Sequence, residues 1–336
     1  MKKLFLIATV LTMVLSAAYA AAAEPVTIKF ATIQPAPAKI VKMVYVPWID
    51  KVMKDAEGTL KIDLYAGGTL GRNPNVQLKL LMDGMADIAW VVGDYTPGRF
   101  PDDQVFNIPF MLESETEGAY VGQRMLDRGL LRGYDDIKVL NLRLTGAYNI
   151  HTTFPVNKPE DLKGHKFRVA GRFQADLLRY LGVTTIGMPI TQVTESLSRG
   201  VIDGALTDVQ VLKLFRIGDA AKHHLIIPMG AISMIIAMNK QTYERLPPKA
   251  KAAVDKHSGE SFSRLFAEVA GGDEVKIFEQ LKKDPERSVV IPAGEDLKLW
   301  KNSVQPAIDD WKKKTPNAEK LLQAFQEELD RYRAGK

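Results

Sequence analysis

The sequence predicts a two-lobed α/β protein. Short apolar strands alternate with amphipathic helices across short turns, the order that builds a parallel sheet. One local unit, G-x-x-D-x-A, occurs twice, as Gly84-Met85-Ala86-Asp87-Ile88-Ala89 and as Gly200-Val201-Ile202-Asp203-Gly204-Ala205. Each copy follows an amphipathic helix and opens an apolar strand. The chain has 336 residues, and the roughly 310 left after an N-terminal leader exceed what a single core usually organises. If the repeated unit holds the same place in each half, the strand ends at 90–95 and 206–210 face a common cleft.

Residues 1–23 read as a secretory signal: Lys2 and Lys3, then an almost wholly apolar run from 4 to 15, then small residues. Ala18-Tyr19-Ala20 and Ala21-Ala22-Ala23 both fit the small-x-small rule, so the cut falls after Ala20 or Ala23. The apolar core is too short for a permanent membrane helix, and no later segment reaches the ~18 uninterrupted apolar residues that one needs. The expectation is a soluble, exported protein. The chain has no cysteine, which excludes disulfides, thiolate metal sites, cysteine nucleophiles and a lipidated N-terminal cysteine; a free periplasmic protein fits. Loss of Lys2 and Lys3 takes the formal charge from +5 to +3, a mild excess spread along the chain that argues against nucleic acid as a partner.

In chain order, residues 26–32 alternate like a strand, and Gln34-Pro35-Ala36-Pro37 makes a rigid loop that cannot continue it. A helix over 40–53 carries Val41, Val44, Tyr45 and Trp48 on one face. Residues 60–64 form a second strand and 76–82 a helix stopped at Gly84. A helical stretch over 113–131 and a strand over 138–144 lead to a crossing near 145–150, and the apolar run 231–238 returns. Two extended crossings make a hinge. The expected division is a first lobe at 24–147, with part of 239–285 returning to it, a second lobe at 148–238, and a hinge return with a helical C-terminal segment at 239–336. In that segment Phe262, Leu265, Phe266 and Val269, then Val275, Phe278 and Leu281, form either one helix or two broken at Gly271-Gly272. A short strand at 289–291 and amphipathic helices at 297–311 and 318–332 complete the chain.

The stretch 161–208 is where chemistry concentrates. DLKGHKFRVAG sets Arg168 inside an apolar strand, and its planar fork of donors matches a carboxylate bidentately; pairing to a structural carboxylate is the competing reading. Phe173, Leu177 and Leu181 mark a helix ending at Gly182, and Thr191 is read as the N-cap of a helix with Val193 and Leu197, closed by Gly200. A strand then ends at Thr207-Asp208. The sequence lacks G-x-S-x-G, G-x-x-x-x-G-K, G-x-G-x-x-G and H-E-x-x-H. His151, His165 and His257 are isolated, and the adjacent His223 and His224 point to different sides. These histidines read as surface or capping groups, and Asp87 and Asp203 as turn and cap residues.

DLKGHKFR, MPITQV and GVIDG, together with AGGTLG at 66–71, GMADIAW at 84–90 and Asn107-Ile108-Pro109-Phe110, form an ordered set over most of the chain. It resembles the solute-binding proteins of tripartite ATP-independent periplasmic (TRAP) transporters. The resemblance implies a two-lobed periplasmic binding protein that closes on a small organic acid and delivers it to integral-membrane permease subunits. It also implies a long helix bracing both lobes, a ligand-anchoring arginine at Arg168, no cofactor and no catalysis. Asp208 departs from the asparagine usual in that family; an ionised aspartate only accepts hydrogen bonds, so it accepts from a ligand hydroxyl, pairs with Arg168 when empty, or turns away. The second arginine often found on the crossing has no counterpart around Tyr148-Asn149-Ile150. A monocarboxylate with an apolar or aromatic body, bearing a hydroxyl or oxo group, therefore suits a site of Arg168, Asp208, Tyr95, Tyr148, Ile190, Trp90 and Gln34. The expected protein is a monomer. A binding protein for an ATP-driven importer or a sensor kinase, and an exported α/β hydrolase or lyase, stand as alternatives.

Overall fold

The computed structural model describes residues 24–335; the leader read at 1–23 lies outside them. The described strands are β1 (Val26–Ala31), β2 (Leu60–Tyr65), β3 (Ile88–Val92), β4 (Ile137–Leu144), β5 (Asn149–Thr152), β6 (Lys166–Val169), β7 (Thr184–Gly187), β8 (Gly204–Thr207), β9 (His223–Leu225), β10 (Ser233–Asn239) and β11 (Ser288–Val290). They form two sheets, ordered β2-β1-β3-β10-β4 and β11-β9-β5-β8-β6-β7. In each sheet three strands run parallel and the next one is antiparallel to them. The antiparallel strand of each sheet lies at the end of a crossing: β5 receives the chain from β4, and β10 receives it from β9.

The repeated G-x-x-D-x-A unit does the same work in both lobes. Lys29 N donates to Asp87 Oδ2 at 2.9 Å while Asp87 N donates to Lys29 O. Lys166 N donates to Asp203 Oδ2 at 2.8 Å while Asp203 N donates to Lys166 O. Each aspartate thus takes a backbone donor of the neighbouring parallel strand just before their ladder begins, Lys29 within β1 and Lys166 at the start of β6. This is the turn and cap role read from the sequence.

The first lobe packs its core where the sequence pattern put it. Val41, Val44, Tyr45 and Trp48 are all buried, on a π turn at Val41–Tyr45 that runs into the helix Val46–Asp55. The Trp48 indole stacks on Phe262 at 5.0 Å and meets Phe30 edge-on. Phe262 belongs to the helix Glu260–Lys283, which runs unbroken through Gly271 and Gly272. That helix packs on the helix Glu115–Asp127 and β4 in the first lobe and on the helix Val209–Leu214 and β11 in the second. The last two helices cover one lobe each: Gly294–Lys314 lays Trp311 against Phe173, and Ala318–Arg333 lays Phe325 against Phe106.

Several sequence expectations need correcting. β10 belongs to the first sheet, so residues 233–238 are not part of the second lobe; the return crossing is 226–232, because the apolar run pairs with β4 from Ser233 and with β3 from Met234. Thr191 is not an N-cap. After the extended Pro189, residues Ile190–Gln192 form a 3-10 turn, and the helix Val193–Ser198 has Gln192 at its cap position with no side-chain bond. His151 and His224 are not surface groups. They lie opposite each other on β5 and β9, are buried, and are hydrogen-bonded through their Nδ1 atoms at 2.9 Å. Finally, Asp208 does not merely end a strand, since its Oδ1 caps the helix Val209–Leu214 by accepting from Gln210 N and Val211 N.

The two crossings are zipped together. Thr145 N donates to Ile232 O, Tyr148 N to Gly230 O, and Met229 N to Tyr148 O. Gly230 has a φ of +86°, and a Cβ there would strike the Asn107 carbonyl. Gly58 has a similar φ of +80° with nothing within 4 Å. Gly58→Ala should therefore cost about 1–2 kcal/mol, the left-handed penalty alone, and Gly230→Ala on the order of 3 kcal/mol or more. Urea denaturation of both variants checks this, and equal losses would mean the crossing yields freely to the methyl group.

Candidate functional site

A cavity of about 380 Å³ lies between the sheets, at the ends of parallel strands from both lobes, where α/β folds place ligands. Each neighbouring element contributes to its wall: Trp90, Val92 and Tyr95 from β3 and the turn after it, Arg143 from β4, Thr145 and Tyr148 from the first crossing, Ile232 from the second and Met234 from β10, Thr207, Asp208 and Gln210 from β8 and the helix it leads into, and Phe266 and Val269 from the long helix. Gln34 and Ile190 complete it. Six of the seven residues singled out from the sequence therefore line this space. The seventh, Arg168, does not.

Arg168 is fully buried behind the wall. Its Nε donates to Met188 O at 3.0 Å, Nη1 to Leu206 O at 2.9 Å and Nη2 to the Tyr95 hydroxyl at 2.8 Å, with the Tyr148 phenol close by. It is not paired with Asp208. The sequence could not foresee this because both phenols come from outside β6, and Tyr95 comes from the other lobe. The Tyr95 oxygen also accepts from Ile190 N at 3.0 Å. With both lone pairs taken, its own O–H has no acceptor among the described residues and is polarised by the guanidinium. Trp90 Nε1 and Thr207 Oγ1 are likewise buried without a partner among the described residues. Burial of donors without acceptors is unfavourable in an empty protein, and three such groups lie around one cavity.

The part of the wall around Arg143 has a different character. Arg143 Nη1 donates to Glu115 Oε1 at 3.1 Å, and its guanidinium lies over the Phe266 ring at 3.8 Å. Glu115 also receives Gln210 Nε2, from the second lobe, on its other oxygen. Asp208 and Asp273 line the same cavity, and Lys39 pairs with Asp273 at 2.6 Å. Burial pushes the carboxyl groups of Glu115, Asp208 and Glu274 above their usual range.

Arg143 corrects the expectation that the cavity has no second arginine: it sits at the end of β4, five residues before Tyr148. The signal was present, since Leu140, Leu142 and Leu144 are buried around it and an arginine inside an apolar strand is the pattern that marked Arg168. Glu115 carried no such signal, because the groups that surround it, Arg143, Gln210 and Glu274, come from distant segments of the chain.

A two-lobed α/β fold, with a part-open cavity at the crossings and buried, unpartnered donors on residues that line it, defines a solute-binding receptor. The chain belongs to the bacterial extracellular solute-binding proteins, family 7, whose model matches residues 30–314. A TRAP solute-binding protein from a marine metagenome, specific for aromatic acids and crystallised with 3-hydroxybenzoate, is 28% identical with a TM-score of 0.85, covering 92% of this chain and 99% of that one. One from Rhodoferax ferrireducens, crystallised with copurified benzoate, is 25% identical with a TM-score of 0.81, at 92% and 99% coverage. The C4-dicarboxylate-binding periplasmic protein DctP of Rhodobacter capsulatus is 21% identical over 310 residues, 90% of this chain and 91% of its own. The family is one of receptors rather than enzymes and is extracytoplasmic. Among the described residues no helix is long and apolar enough to cross a membrane.

Asp94, next to Tyr95, gives the site a pH signature. Its Oδ2 is buried without a partner among the described residues, a Cβ at Gly171 of the second lobe would strike its other oxygen, and burial raises its pKa to about 7 against the pull of Asn107 and Arg168. A carboxyl that holds its proton longer when folded stabilises the protein fully at low pH, and that stabilisation is lost as the pH rises towards 7. Asp94→Asn should therefore gain on wild type by about 1.4 kcal/mol per pH unit between roughly pH 4 and 7, then level off. Chemical denaturation at pH 5 and pH 7.5 checks the sign; a pH-independent difference would mean Asp94 is ionised throughout.

Proposed function

We propose that this protein is the receptor of a TRAP-type transporter and captures a small monocarboxylate with an apolar or aromatic body, handing it to integral-membrane permease subunits. The observation that carries this is the Tyr95 hydroxyl, held by Arg168 and Ile190 N with its own proton unused at an apolar wall. A carboxylate oxygen there accepts from Tyr95, draws on the positive charge behind it, and gives Trp90 Nε1 or Thr207 Oγ1 the acceptor it lacks. Arg168 then acts as the fixed charge and the phenols as the hands that reach the ligand. This departs from a direct bidentate grip.

The rest of the wall suits an apolar body: Trp90, Tyr148, Ile232, Met234 and Phe266 surround the space. The two relatives at 25–28% identity that hold benzoate and 3-hydroxybenzoate support the same choice. Micromolar binding needs about −8 kcal/mol, within reach of two or three charge-assisted hydrogen bonds at about 1.5–3 kcal/mol each plus aromatic burial. An export leader and a monomeric state belong to the same reading. Movement of the lobes about the two crossings would admit and release the acid.

Thermal-shift screening against aliphatic and aromatic mono- and dicarboxylates should raise the melting temperature most with aromatic or apolar monocarboxylates. Tyr95→Phe, which removes only the hydroxyl, should weaken that binding about 10–100-fold by calorimetry. No response to any acid would overturn the carboxylate reading, and unchanged affinity in Tyr95→Phe would remove Tyr95 from the site.

A further inference from the structure

We propose that Glu115 occupies the cavity's second arginine and so restricts this receptor to acids with a single carboxylate. The inference rests on the carboxylate-receptor reading above and adds the residue that sets its specificity. The Arg143 guanidinium sits over the Phe266 ring at 3.8 Å, and its Nη1 is committed to Glu115 Oε1 and Leu144 O. A dicarboxylate anchored at Tyr95 would find in Arg143 the natural partner for its other end. Glu115 already stands there.

Three features hold Glu115 in place. It begins the helix Glu115–Asp127, where a negative charge is favoured. Its N–H donates to Glu274 Oε2 at 3.0 Å. Gln210 reaches from the second lobe to its Oε2, so with the lobes together each carboxylate oxygen has its own donor. A tethered carboxylate competes with a free one at high effective concentration. The surroundings add to this: Asp208 lines the same cavity and Glu274 adjoins Glu115, so a second carboxylate would enter among acidic groups that burial already pushes towards their protonated forms, where another charge is costly. A hydroxyl meets acceptor oxygens instead. The local chemistry therefore excludes a second charge while accepting a neutral donor.

The test uses two pairs of probes, benzoate with isophthalate and hexanoate with adipate, titrated calorimetrically into the whole mature protein. Wild type should prefer the monocarboxylate of at least one pair by about 100-fold or more. Glu115→Gln, nearly isosteric, should narrow that ratio by about tenfold or more through a gain for the dicarboxylate. Adding Arg143→Gln should abolish the gain, showing that the freed guanidinium is what the second carboxylate uses. Should Glu115→Gln fail to melt cooperatively, Glu115→Ala is judged by the same ratio. An unchanged ratio in a folded variant that still binds the monocarboxylate would overturn this inference and leave the receptor reading standing. Wild type that binds neither member of either pair would overturn both.

Discussion

A guanidinium fully removed from water must find an acceptor for its donors, and the way Arg168 does so organises the site. Two acceptors are carbonyls of its own lobe, Met188 O and Leu206 O, set by the strands and turn beside β6. The third is the phenol oxygen of Tyr95, from the first lobe, with the Tyr148 phenol of the crossing close by. Arg168 can stay charged and buried only while these groups surround it. The arrangement therefore ties lobe to lobe and leaves the Tyr95 proton as the polar group offered to the cavity.

The register of the crossings makes this possible. Bonds among Thr145, Tyr148, Met229, Gly230 and Ile232 hold the two segments side by side. Because each crossing delivers the antiparallel strand of the lobe it enters, both sheets depend on both segments. Asp87 and Asp203 make the same reciprocal bonds in their own lobes, so the two sheets share a plan down to a single hydrogen-bonded pair.

Charge is divided around the cavity. Around Tyr95 a positive group lies behind neutral donors, which favours an anion. Around Arg143 a positive group is already matched by Glu115, with Asp208 beside it, which favours a neutral polar substituent. Apolar side chains make up much of the wall. Such polarity selects orientation as well as identity, because a monoanion reversed in the site would set its carboxylate against acidic neighbours.

Much of this was legible in the sequence. The alternation of strands and helices, the doubled G-x-x-D-x-A unit and the residues at the strand ends follow from local pattern, since period, glycine stops and turn chemistry are written in neighbouring residues. Six of the cavity residues were found that way. Arg143 was findable too, as a charge inside the apolar strand Leu140–Leu144, had that pattern been applied a second time. What only the tertiary structure decided is which partner each buried charge takes. Tyr95 lies 73 residues from Arg168, Glu115 lies 28 from Arg143, and His151 lies 73 from His224. No local signal reports such pairings. They are set by how the sheets stack and the long helix packs, because a charge withdrawn from water is satisfied by whatever group the fold brings within reach.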